Sequence, residues 1–178
     1  LLAVICSCNN SEQQQNLPTK SSEAAAPSFT ISLKPLLLSG PLSDSFPFLQ
    51  SFAWAREGNK ILLIGGRIEG FHGRTGTNIF PNKKANTSLW VMDLSNLSVS
   101  ELPLDPSNSQ YLQFFSSNME FFQDNDTLYL VGGYGPRNII STQSNHTFDR
   151  LIALSVSATI RIVESNSLTD FNKALIRF

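Results

Sequence analysis

The residues best suited to chemistry lie in two long loops, each following a Gly-Gly pair. The first loop runs from Arg67 to Asn86 and carries Arg67, His72 and Arg74. The second runs from Tyr134 to Asp149 and carries Arg137 and His146. Long loops on a rigid scaffold commonly carry binding groups, so these five side chains are the candidates for lining a ligand surface. The plainer alternative is a solvated polar loop. A zinc site needs three or four ligands. The chain has 2 histidines and 2 cysteines, with both cysteines in its first eight residues, so no metal site is expected. Gly70, Gly73 and Gly76 lack the Lys-Ser/Thr ending and following helix of a phosphate cradle. Asp124-Asn125-Asp126 lacks the glycine and distal glutamate of a calcium loop and reads as a hairpin turn. No Gly-x-Ser-x-Gly elbow occurs. No catalytic residue and no cofactor is therefore assigned. Trp54 and Trp90 are of a type that stacks on sugars, but both sit in alternating strands, which favours a place in the core.

The elements that must position these loops come in two copies. Ile61-Leu62-Leu63-Ile64-Gly65-Gly66 matches Leu128-Tyr129-Leu130-Val131-Gly132-Gly133 at an offset of 67 residues, which also sets Phe52 on Met119, Trp54 on Phe121 and Asn59 on Asp126. Each copy begins with an alternating strand and a polar turn, Glu57–Lys60 or Asp124–Asp126, that tolerates turn dihedrals. An apolar strand suited to burial on both faces follows, and then glycines where side chains would crowd the backbone. Third strands are expected at 89–94 and 151–154, and fourth strands at 99–102 and 160–163. Four antiparallel strands per unit, with a double glycine ending the second, is the blade pattern of a β-propeller.

On Gly65, Gly66, Gly132, Gly133 and the third-strand Trp90-Val91-Met92-Asp93, the chain resembles the kelch-repeat and galactose-oxidase-like propellers over about 48–165. The second copy has no tryptophan and neither copy has the usual fourth-strand one. The resemblance implies an all-β fold of four-stranded antiparallel blades, at about 48–104 and 113–165, with a further blade starting after 166. Since about four to eight blades close a ring, 28–178 is expected to be part of a propeller, with Ile31–Leu33 a candidate extra strand. The copper site of galactose oxidase uses a Tyr-Cys crosslink, and no cysteine follows Cys8 to make one.

The first ten residues, Leu1 to Asn10, read as the end of a signal-peptide apolar region. Ile5-Cys6-Ser7-Cys8 resembles a bacterial lipobox, which implies cleavage before Cys8, lipid attachment there and a place at the cell envelope. Residues 1–8 are then a signal remnant and 9–27, rich in Ser, Gln, Asn and Ala, a disordered tether. Asn-x-Ser/Thr triplets at Asn86, Asn96, Asn125 and Asn145 would be glycan acceptors in a eukaryotic secreted chain, and the lipobox outweighs them. A hydrophobic content of 41% supports a packed core, while a net charge of −1 with 15% charged residues does not suggest nucleic-acid binding. The expectation is a membrane-tethered binding scaffold for a protein or glycan. The rival is a carbohydrate-active enzyme, a sugar mutarotase, epimerase or oxidase, since a fold does not choose its function.

Overall fold

The computed structural model describes residues 31–69, 80–139, 144–174 and 176–177. Cys8 and the 9–27 segment lie outside them, as do His72 and Arg74. Leu36–Phe178 forms one compact unit, and Ile31–Pro35 is described apart from it. Ile31 and Leu33 are exposed and belong to no strand, which corrects the expected extra strand there.

The first sheet is a meander of β1 (Ala53–Glu57), β2 (Lys60–Ile64), β3 (Ser88–Asp93) and β4 (Ser98–Pro103), paired antiparallel in that order. The second sheet holds β5 (Ser117–Asp124), β6 (Thr127–Pro136), β7 (Asn145–Thr147), β8 (Leu151–Ser155) and β9 (Ile176–Arg177). Its order is β5-β6-β8-β9, with β7 extending the far end of β6. Both first hairpins close on two residues, Gly58-Asn59 between Glu57 and Lys60, and Asn125-Asp126 between Asp124 and Thr127. The leading turn residue is left-handed in each, at φ 56° for Gly58 and 49° for Asn125, a conformation that glycine and asparagine accept most readily.

The expected fourth strand at 160–163 is instead helical. α1 (Val156–Glu164) and α2 (Leu168–Ala174) stand between β8 and β9, and the fourth strand is β9. The segment after 166 thus returns to the second sheet rather than starting a third. The physical reason is a strong helix start. Ser155 Oγ accepts from the Ala158 N–H at 3.2 Å, and Asp126 accepts from the Ser157 N–H at 2.7 Å. Val156, Thr159, Ile160 and Val163 follow at helical spacing and form the buried stripe.

The core lies between the two sheets. Ala53, Ala55, Leu62, Ile64, Leu89 and Val91 share one face of the first sheet; Met119, Leu128, Leu130, Ile152 and Leu154 share one face of the second. Tyr111, Phe114 and Phe115, from the 3-10 segment Ser109–Phe115 that links the sheets, are buried with them. α1 packs on the first sheet, and Lys60 Nζ meets Glu164 Oε1 at 2.5 Å. Burying aromatic and aliphatic side chains fully contributes about 1.5–3 kcal/mol each, so this seam is where the fold gains most of its stability.

Candidate functional site

The double glycines mark the seam between the sheets. All four are left-handed, at φ 67° and 84° for Gly65 and Gly66 and at 66° and 96° for Gly132 and Gly133. Ser116, fully buried, sits against both pairs. Its carbonyl accepts from the Gly66 N–H at 2.8 Å and stands where a Cβ on Gly65 would fall, while its Oγ stands where a Cβ on Gly133 would fall. A left-handed glycine turns its carbonyl out of the strand ladder, and each copy supplies an amide to meet it. Asn86 Nδ2 donates to Gly65 O at 3.0 Å and to Ser88 O at 2.8 Å, and Asn86 Oδ1 accepts from the Ser88 N–H and Trp90 Nε1. In the second copy, Gln113 Nε2 donates to Gly132 O at 3.1 Å and to Arg150 O at 2.9 Å. Asn86 is buried with its amide fully engaged, so the triplet there marks a clamp rather than a glycan acceptor.

Equivalent residues of the two copies also touch each other. The Asn118 N–H donates to Ser51 O at 3.0 Å, Trp54 and Phe121 pack edge to face at 6.1 Å, and Gln123 bonds both the N–H and the C=O of Arg56. Each pair is separated by 67 residues. Ser51 and Asn118 even share a left-handed backbone, at φ 56° and 55°. Three such pairs in succession mean that β1 and β5 run side by side, in the same direction and at the same level. Trp90 is buried, as its strand pattern predicts, but on the outward face of the first sheet, where Phe46 packs edge to face on it at 5.3 Å; Trp54 is 46% exposed, which corrects the expectation of burial.

Beyond the glycines, the candidate loop residues divide. Arg67 is buried at 3% exposure: its Nε donates to Glu69 Oε1 at 2.6 Å, its Nη2 to Pro81 O at 2.8 Å, and its guanidinium stacks 5.1 Å from the Phe80 ring. All of this places Arg67 in the frame of the loop, with its donors turned inward rather than toward a ligand. Phe80 packs on Tyr134 at 5.6 Å and accepts from Asn145 Nδ2 at 3.0 Å, while Asn82 Nδ2 donates to Asn138 O at 2.8 Å. The described end of the first long loop, residues 80–86, is thereby fixed across the end of β6 and β7.

Arg137 and His146 come together in a polar cleft of about 290 Å3, with Phe148, Asp149, Arg150 and Gln110. The His146 ring lies 4.1 Å from Phe148, and its Nδ1 is buried with no hydrogen-bond partner among the described residues. The exposed guanidiniums of Arg137 and Arg150 make no ion pair among the described residues. Arg150 belongs to this cleft although its position beside β8 gives no sign of it; its one sequence signal is that it ends the same loop as His146. Two cationic side chains, an imidazole and a carboxylate in one cleft provide hydrogen bonds to an anionic or hydroxyl-bearing ligand.

A second cavity is apolar. On the outward face of the first sheet, Phe46, Phe48, Phe52, Trp54, Ile61, Leu63 and Met92 line a groove of about 530 Å3. Among the described residues no helix is long and apolar enough to cross a membrane, and no group of three or more His, Cys, Asp or Glu side chains is placed to hold a metal ion. No protein-family model matches the chain, and no curated protein matches it significantly.

Proposed function

We propose that the two sheets are neighbouring blades of a kelch-like β-propeller that acts at the bacterial cell envelope as a binding scaffold for a protein or glycan, tethered by lipid on Cys8. The observation that carries this reading is the level pairing of Ser51 with Asn118, Trp54 with Phe121 and Arg56 with Gln123. Units that climb along an axis offset their equivalent residues, whereas units that turn about an axis beside their inner strands hold them level. β1 and β5 are then the strands nearest that axis. Apolar side chains on the outward faces of both sheets, Leu63 and Trp54 on one and Phe122 and Val131 on the other, fit further blades on either side. The cleft holding Arg137, His146 and Arg150 is the ligand site of this reading, lined by the long loop of the second sheet and by the 3-10 segment that links the sheets.

A panel of neutral and acidic glycans tests the reading on the intact protein, with turnover of each sugar followed in parallel. Binding without turnover, weakened at least about tenfold (~1.4 kcal/mol) by Arg137→Ala or Arg150→Ala, is the expected result. Turnover would replace the scaffold with an enzyme. Binding that ignores both substitutions would move the site elsewhere.

A further inference from the structure

We propose that a second copy of this chain docks on the apolar groove of the first sheet, using the outward face of its own second sheet and repeating between molecules the seam that already exists within one. The proposal rests on reading the two sheets as ring neighbours.

The groove residues identify the occupant. Phe52, Trp54, Ile61 and Leu63 are the repeat equivalents of Met119, Phe121, Leu128 and Leu130, which form the face that the second sheet turns toward the first. The groove is therefore the same half of the seam, with no sheet among the described residues packed against it. The complementary half in the internal seam is the face with Ala55, Leu62, Ile64, Leu89 and Val91. Its equivalents in the second sheet are Phe122, Tyr129, Val131, Leu151 and Ala153, on the side facing away from the core. One chain thus carries both halves on opposite sides.

Several details fit a second copy in that place. The Ser51 N–H, equivalent to the Asn118 N–H that closes the internal seam, has no partner among the described residues. Trp54, equivalent to Phe121, would meet the Phe121 of the incoming copy, so the aromatic pair of the internal seam recurs between molecules. Trp54 and Phe121 remain 46% and 37% exposed, which leaves ring surface for that contact. The match is not residue for residue, because Glu120 and Phe122 replace Ala53 and Ala55. A groove of about 530 Å3 gives the larger Phe122 ring a place to enter. The contact is head-to-tail, so one copy keeps its docking face free and the other keeps its groove free.

Sedimentation velocity of the chain across a concentration series tests this, with two variants at exposed positions chosen to spare the core. Phe48 is 94% exposed in the groove and Phe122 is 68% exposed on the opposite face. Phe48→Asp and Phe122→Asp are each expected to weaken self-association at least tenfold. An equimolar mixture of the two is expected to form dimers that do not grow, because one variant keeps an intact groove and the other an intact docking face. Unchanged circular dichroism would show that both variants are folded, with Phe48→Ser and Phe122→Ser as replacements if either is not. A wild-type chain that stays monomeric, variants that associate as before, or a mixture that remains monomeric would each overturn the proposal. A monomer that retains energetic coupling between Trp54 and Phe121 would do so while leaving the ring reading intact; loss of that coupling would remove both.

Discussion

The first sheet follows its third strand with the tight turn Leu94–Leu97, while the second follows its third strand with two helices before the fourth. The departure begins at one equivalent point. The Leu94 N–H donates to Asn59 O at 2.8 Å, and the Val156 N–H donates to Asp126 O at 2.7 Å, so the backbone is still matched one residue past each strand. Then Asp93 accepts from the Ser95 N–H and bends the first chain back, while Asp126 and Ser155 cap a helix in the second. The double glycines teach the same lesson. Gly65 O and Gly132 O are equivalent carbonyls, but Asn86 reaches the first from after the glycines and Gln113 the second from before them. The copies share backbone demands, and different side chains meet them.

The sharpest way to probe this comparison is at the glycines. A Cβ on Gly65 would overlap the Ser116 carbonyl, whereas on Gly132 its nearest neighbour is Phe148 O at 3.6 Å. Gly65→Ala is therefore expected to cost about 3–5 kcal/mol by urea unfolding, and Gly132→Ala only the left-handed penalty of about 1–2 kcal/mol. Equal losses would mean that Gly65 does not lie at a seam.

The amide clamps come next. Asn86→Ala strands a buried carbonyl and breaks all the bonds of its amide, with an expected loss of about 2–3 kcal/mol, against about 1–2 kcal/mol for Gln113→Ala. Reversal of that order would show that the second copy leans on its clamp more than the first.

A smaller effect attaches to the helix start. The hydroxyl of Ser155, then the Ser157 N–H, hold the Asp126 carboxyl below its ordinary pKa. A carboxyl lowered by folding stabilises the folded chain fully above its unfolded pKa of about 3.9, and that contribution disappears as the pH falls through the lower folded value. Asp126→Ala is expected to cost about 1 kcal/mol at neutral pH, with the gap from wild type narrowing under acid. A gap independent of pH down to full protonation would remove the carboxylate from the account.

Much of the repeat was legible in the sequence, because the Gly-Gly pairs and the apolar strands before them are backbone requirements written as residue types. Ile160–Val163 misled because a short apolar run fits a buried strand and a helix stripe equally well. The deciding signal was Ser155 with apolar positions at 156, 160 and 163. Trp54 misled because alternation shows which residues share a face and leaves open whether another sheet covers it. Arg67 has the type and loop position of a ligand group, but Glu69 two residues on and the distant Pro81 carbonyl take up its donors. Arg137 and His146 are legible as loop residues, yet their meeting with Arg150 depends on how β6, β7 and β8 pair.

The most direct measurement of the central claim is a double-mutant cycle between Trp54 and Phe121 on protein dilute enough to be monomeric, with Phe122 as the control on the opposite face. Level, side-by-side inner strands require a coupling of about 0.5–1.5 kcal/mol between Trp54→Ala and Phe121→Ala, and additivity within about 0.5 kcal/mol for Trp54→Ala with Phe122→Ala. Additivity for the first pair, or coupling as strong for the second, would contradict two copies of one sheet turned about a shared axis.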